Sequence, residues 1–223
     1  MPEPQQPEGF RQQRFLAPPG STTILLVRHG ESAAADPDKR FPLTGGHGDP
    51  PLHAEGTEQA ERLGERLGTA PIDAIYVTSL RRTHETAAPL AQRLGLTPIV
   101  EPDLREVHLG DWEGGVLRAR VAEGSPLLAE ILRQERWDVI PGAEPLEVFH
   151  ARTVGAISRI ADAHPDQLVV AVVHGGVIGQ LLHHTTGSTR FAFASADNAS
   201  ISEIVVHEER WHLRRFNDTS HLT

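Results

Sequence analysis

Two short, unbroken apolar runs stand out along the chain: Thr22–Val27 (TTILLV) and Leu168–Val173 (LVVAVV). Continuous runs of this length suit strands buried on both faces. Ile72–Val77 (IDAIYV) and Thr97–Val100 read as two further strands. Between them the period changes. From Glu55 onward, Ala60, Leu63 and Leu67 recur at helical spacing. Arg82–Leu94 reads as a helix, and so does Glu144–Ala163, which His164-Pro165 ends. Another helix is expected after His174-Gly175-Gly176, through about His184. Ile201–Val206 and Trp211–Phe216 read as two late strands around a turn at Glu208–Arg210. This alternation predicts an α/β fold, a sandwich in which helices flank a mostly parallel central sheet.

The intervals between these elements are less regular. Residues 1–20 are rich in Pro and Gln and lack periodicity, which predicts a flexible N-terminal arm ahead of a single domain over 21–223. Residues 32–54 read as one long loop, and long loops inside compact domains are often functional. The polar stretch 112–140 is expected to hold helices. No internal repeat is visible.

Composition removes several classes. A length of 223 residues with 39% hydrophobic positions is enough to bury a substantial core. The absence of Cys excludes a disulfide scaffold, a thiolate metal site and a Cys nucleophile. No apolar run approaches a bilayer span, and the first twenty residues lack the apolar core of a signal peptide, so a cytoplasmic protein is expected. The formal charge of −9 disfavours nucleic acid and anionic membranes as partners. Lys39 is the one lysine among 21 basic residues. Arginine is favoured for gripping phosphate or carboxylate, but GC-rich coding produces the same bias.

The chemistry sits where the two apolar runs end. The first leads straight into Arg28-His29-Gly30-Glu31, the second into His174-Gly175-Gly176. In open α/β sheets, ligands bind beyond the carboxyl ends of the strands. Either His-Gly pair alone reads as a turn. Two of them at strand ends, one beside an arginine, read as a site.

Leu26-Val27-Arg28-His29-Gly30-Glu31-Ser32 resembles the signature of the histidine phosphatase superfamily, the branch with cofactor-dependent phosphoglycerate mutases and related phosphatases. Further blocks follow in the family's order. They are Pro51–Gly56 with Gln59-Ala60 (His53 standing where Thr is more usual), Val77–Ala87, Leu104-Arg105-Glu106 with Gly110–Gly114, Val173–Gly176, Asn198–Ile201 and Asn217–Leu222. The resemblance spans about residues 22–222 and implies a phosphoglycerate mutase-like three-layer sandwich.

It also implies roles. His29 is the expected nucleophile, carrying a transient phosphoryl group. Arg28, Arg82 and a protonated His174 are the expected clamp on the phosphoryl oxygens, with Arg81 facing solvent. Glu106 is the expected proton donor to the leaving alkoxide and later the base for water; an ion pair with Arg105 or another arginine is its alternative. Substrate contacts are expected from Arg28, Arg82, Glu31, Gly175 and Asn198, although Asn198 reads equally as a turn residue. No metal or other cofactor is expected. His183-His184, His207 with His212 and His47 with His53 lack the spacing of a recognised zinc motif, and Trp112 reads as a packing anchor.

Glu106 and His174 lie 68 positions apart, without the longer insertion that mutases tend to carry there. Ala33-Ala34-Ala35-Asp36 replaces their Trp-Asn. Both departures imply a phosphatase acting on a small phosphomonoester, with mutase-type phosphotransfer as the alternative. A non-catalytic binding protein on the same fold is the alternative from another class. Retention of all five core residues argues against it. Sugar phosphates, phosphoglycerates and nucleotides all stay open as substrates, and a homodimer is compatible with the resemblance.

Overall fold

The computed structural model describes residues 12–36 and 38–223; the first part of the expected arm, residues 1–11, lies outside them. A six-stranded sheet forms the middle layer. Its strands are β1 (Thr22–Arg28), β4 (Ala74–Val77), β5 (Ile99–Val100), β6 (Leu168–Val173), β7 (Ile201–His207) and β8 (Arg210–Asp218), in the order β5-β4-β6-β1-β7-β8. β5, β4, β6 and β1 run parallel, and β7 and β8 add antiparallel pairings.

Alternation along the buried strands divides the core into two layers. Ile24, Leu26, Val169, Ala171 and Val173 face one side, where Phe149, Ile157 and Ile160 of α5 (Leu146–Ala163) and Ile178 and Leu181 of α6 (Gly175–Thr186) cover them. Leu25, Val27, Val170 and Val172 face the other, against Leu63 of α1 (Ala54–Leu67) and Leu90 of α2 (Arg81–Leu94). The expected three-layer sandwich is therefore present.

The long loop holds more structure than its sequence suggests, and the 112–140 stretch holds the helices expected of it. The long loop contains a small hairpin, β2 (Leu43–Thr44) with β3 (His47–Gly48). The 112–140 stretch contains α3 (Val116–Ala122) and α4 (Pro126–Gln134), packed around Trp112, Ile131 and Ile140 as a separate small core. Helix α5 starts at Leu146 rather than Glu144, because Pro145 occupies its N-cap. At the α1 N-cap, His53 Nδ1 accepts from the Glu55 amide, the capping task that a Thr hydroxyl could also perform. Phe15, within the expected arm, lies 3.9 Å beneath the Arg214 guanidinium on β8. No helix among the described residues is long and apolar enough to cross a membrane.

Candidate active site

Strand register assembles the site. Arg28 pairs with Val173 across β1 and β6, so the next residues, His29 and His174, emerge side by side. The His29 amide donates to the Val173 carbonyl at 3.0 Å, and the two imidazole rings meet edge to face with centroids 5.2 Å apart. β4 is the other neighbour of β6. It delivers Thr78 to His174 Nε2 at 3.1 Å, and α2, beginning three residues later, brings Arg82 into the same crevice.

His29 is buried, and its Nδ1 lies 2.8 Å from the Gly30 carbonyl. A carbonyl only accepts, so Nδ1 carries the hydrogen and Nε2 keeps a free lone pair. Burial, then the charges of Arg82 and Arg28, push the His29 pKa well below its ordinary value. The ring is therefore neutral at pH 7.

His174 departs from the expectation of a protonated donor. It is fully buried, and burial, then Arg82 and His29, likewise push its pKa well down. A neighbouring anion is what would restore its proton. The consequence for stability has a definite sign. The unfolded chain protonates both rings near pH 6.5 while the native state does not, so stability is full above that value and is lost as pH falls below it. Melting temperatures should fall between pH 7 and pH 5, and a His29→Asn/His174→Asn variant should show a shallower fall in the same series.

The two expected guanidiniums differ in how they are held. Arg82 donates through Nη1 to the Gly48 carbonyl at 2.9 Å, which ties α2 to the hairpin. Arg28 donates through Nη1 to the Ala196 carbonyl at 2.6 Å. Burial lowers the proton affinity of both, and the charge of Glu106 counteracts it. Arg28 Nε and His174 Nδ1 are buried without a hydrogen-bond partner among the described residues. Buried orphan polar atoms are uncommon, and these two belong to the residues on either side of the His29 ring, one preceding it in the chain and one in edge contact with it. Arg81 points outward to pair with Glu85.

Glu106 is not in an ion pair among the described residues. Its carboxylate accepts from the Val107 amide at 2.9 Å and the Gly176 amide at 3.1 Å, in the first turn of α6. A Cβ on Gly176 would overlap that carboxylate, which is why the second glycine after His174 matters. Gly175 runs close beside Arg28.

Arg28, His29, Arg82, Glu106, Gly175 and Gly176 form the polar wall of a cleft of about 270 Å³, while His174, fully buried, is not among its lining residues. Phe41, Trp112, Leu117 and Trp137 form the apolar wall, so Trp112 both anchors the small core and borders the cleft. Glu31 and Asn198 lie instead at an adjoining outer cavity, which also reaches Arg28 and His29. The Glu31 backbone is held by Gln59 and His53, and Asn198 Nδ2 donates to the His29 carbonyl at 2.9 Å. Asn198 therefore contacts the nucleophile's own backbone.

Several site residues escape the sequence reading. Arg118 of α3 borders both cavities and donates to the Ala33 carbonyl at 2.7 Å and the Ser32 hydroxyl at 2.6 Å. His47 lies between the Gly45 carbonyl, 3.2 Å from Nδ1, and the Glu106 carbonyl, 3.1 Å from Nε2, to one of which a neutral ring donates, beside His108 rather than His53. Glu113 accepts from the Gly48 and Leu109 amides, which fastens the hairpin to the small core. All three belong to segments without periodicity, so no spacing pointed to them. Among the described residues no group of three His, Cys, Asp or Glu side chains is disposed to hold a metal ion.

The profile of the histidine phosphatase superfamily (branch 1) matches residues 24–219. Phosphoglycerate mutase-like protein 4 of Arabidopsis thaliana is 34% identical over 204 residues, covering 89% of this chain and 86% of its own. Phosphoserine phosphatase 1 of Hydrogenobacter thermophilus is 32% identical over 207 residues, covering 89% and 93%. The solved structure of a mycobacterial glucosyl-3-phosphoglycerate phosphatase is similar at a TM-score of 0.73 and 27% identity, over 89% of this chain and all of that one.

Proposed function

The chain belongs to the histidine phosphatase superfamily, and from that premise we propose that it hydrolyses a small phosphomonoester through a phosphohistidine on His29, without a metal ion. The observation that carries this reading is a neutral imidazole with a free Nε2, set beside buried polar atoms that have no hydrogen-bond partner among the described residues. His29 Nε2 attacks phosphorus as the bond to the ester oxygen breaks. Glu106 passes its proton to the departing alkoxide. Glu106 then takes a proton from water, whose oxygen attacks phosphorus, releasing inorganic phosphate and restoring His29.

Arg28, Arg82 and His174 are the proposed hold on the phosphoryl oxygens. Phosphoryl transfer is mostly positioning and charge stabilisation. A single charge pair near 4 Å is worth about 4 kcal/mol at an effective dielectric of about 20, so two guanidiniums can supply what metal ions supply elsewhere. Arg118 has no carboxylate among its hydrogen-bond partners in the described residues. That leaves it able to meet a second anionic group on the leaving side. Relatives named for phosphoserine and glucosyl-3-phosphoglycerate fit such a substrate.

The test is phosphate release from p-nitrophenyl phosphate and a panel of phosphorylated metabolites, with and without EDTA. Turnover unchanged by the chelator is expected, with carboxylated esters preferred over neutral ones. Loss of turnover on chelation would overturn the metal-free mechanism. Conversion of one phosphoglycerate isomer into another with negligible phosphate release would establish a mutase instead.

A further inference from the structure

Arg152 of α5 takes no part in the mechanism above, yet its guanidinium, with 14% of the side chain exposed, uses every donor it has. Nε donates to Glu144 Oε1 at 2.7 Å, and Nη2 to Glu144 Oε2 at 2.8 Å. Nη1 donates to the Asp103 carbonyl at 2.6 Å and the Arg105 carbonyl at 2.7 Å. The second Nη2 hydrogen goes to the Glu106 carbonyl at 2.8 Å. An arginine has five N–H donors, and here one serves a carbonyl of the 3₁₀ turn Pro102–Leu104 and two serve carbonyls of the irregular segment after it.

That segment needs them. Residues 105–107 follow a 3₁₀ turn and belong to neither helix nor strand, so their carbonyls find no partner in a regular ladder. Glu144 keeps Arg152 aimed. Burial opposes ionisation of its carboxyl, but the Arg152 hydrogen bonds and charge outweigh this and hold its pKa below the usual range. Glu144 also accepts from the His108 amide at 3.3 Å, and its own amide donates to the His108 carbonyl. His47 Nε2 also lies 3.1 Å from the Glu106 carbonyl. The Glu106 backbone is therefore gripped by Arg152 and His47 while its carboxylate is gripped by two amides.

The geometry points to Arg152, oriented by Glu144, as a positioning residue that sets where the Glu106 carboxyl delivers its proton. This rests on the reading of Glu106 as the proton donor. Only substrates whose leaving group needs that proton should register its loss. p-Nitrophenolate leaves without help, whereas unsubstituted phenolate does not. A misplacement of about 1 Å can cost on the order of a hundredfold in rate.

The experiment measures kcat/KM over a series of substituted phenyl phosphates for wild type, Glu106→Gln, Arg152→Ala and Arg152→Lys. Arg152→Ala should lose about 10–100-fold on phenyl phosphate and several-fold at most on p-nitrophenyl phosphate, with Arg152→Lys intermediate. The double variant with Glu106→Gln should be no more selective than Glu106→Gln alone. Because the readout is a ratio between substrates on one preparation, partial unfolding cancels. If Arg152→Ala does not fold, Arg152→Lys decides the matter alone. Equal losses across the series for the Arg152 variants, with Glu106→Gln still selective, would reduce Arg152 to packing and overturn the inference. A uniform loss for Glu106→Gln would instead overturn the proton-donor reading and take the inference with it.

Discussion

His29→Ala should abolish turnover, by at least ~10⁴-fold in kcat/KM, as expected when a covalent nucleophile is removed. The loss should exceed what other substitutions in the cleft cause, because no second imidazole can take its place. His174 is only 5.2 Å away by ring centroids, but its Nε2 is engaged with Thr78. Rapid acid-free quenching of wild type with labelled substrate should trap one acid-labile, alkali-stable phosphoryl group per chain, and His29→Ala should trap none. A variant that keeps even a tenth of wild-type turnover, or that still forms the labelled enzyme, would remove His29 from the reaction. The same variant should remain folded, since its ring makes one side-chain hydrogen bond, to the Gly30 carbonyl.

Gly56→Ala should lower stability by about 2–4 kcal/mol and reduce kcat/KM by on the order of a hundredfold. An alanine in place of a helical glycine ordinarily gains about 0.5–1 kcal/mol. At this position the sign reverses. A Cβ on Gly56 would overlap the Glu31 carbonyl oxygen and lie 2.8 Å from the Glu31 nitrogen. From the other side, a Cβ on Gly30 would lie 2.5 Å from the Gly56 carbonyl oxygen. Both obstacles are backbone and cannot rotate away, so the start of α1 and the His29–Glu31 turn must separate. A thermal melt should show a drop of about 5–15 °C for a domain of this size. Gly155→Ala in α5 is the control. There the added methyl meets only the tip of Arg159 at 3.5 Å, and a neutral or slightly stabilising effect is expected. An unchanged Gly56→Ala protein would show that the close approach is not required.

The legibility of the site followed the physics of each residue's placement. His29 and His174 could be placed because each follows a continuous apolar run, and such runs become adjacent buried strands whose ends share a crevice. Arg82, in the first turn of the helix after a third strand, was singled out by the resemblance of its block to the family. Glu106 sits in an irregular segment, and only its resemblance to a known block singled it out. The downward pull on the His174 pKa comes from complete burial and from Arg82, neither of which is written in its neighbours along the chain.

By itself, then, the order of apolar and polar residues determined the layering and the strands that carry the two imidazoles, and the motif blocks pointed to the family. A period of two or of 3.6 is a local property, and local patterns survive without knowledge of the fold. Tertiary structure alone decided which side chains close the cleft and hold its parts. Arg118, His47 and Arg152 act on carbonyls and a hydroxyl, and Glu113 on two backbone amides, at separations of 2 to 86 positions. Those partners are backbone groups or a small side chain that nearly any residue could offer, so neither composition nor spacing betrays the pairing. The same holds for Gly30 and Gly56, whose missing side chains matter only because two distant backbones touch.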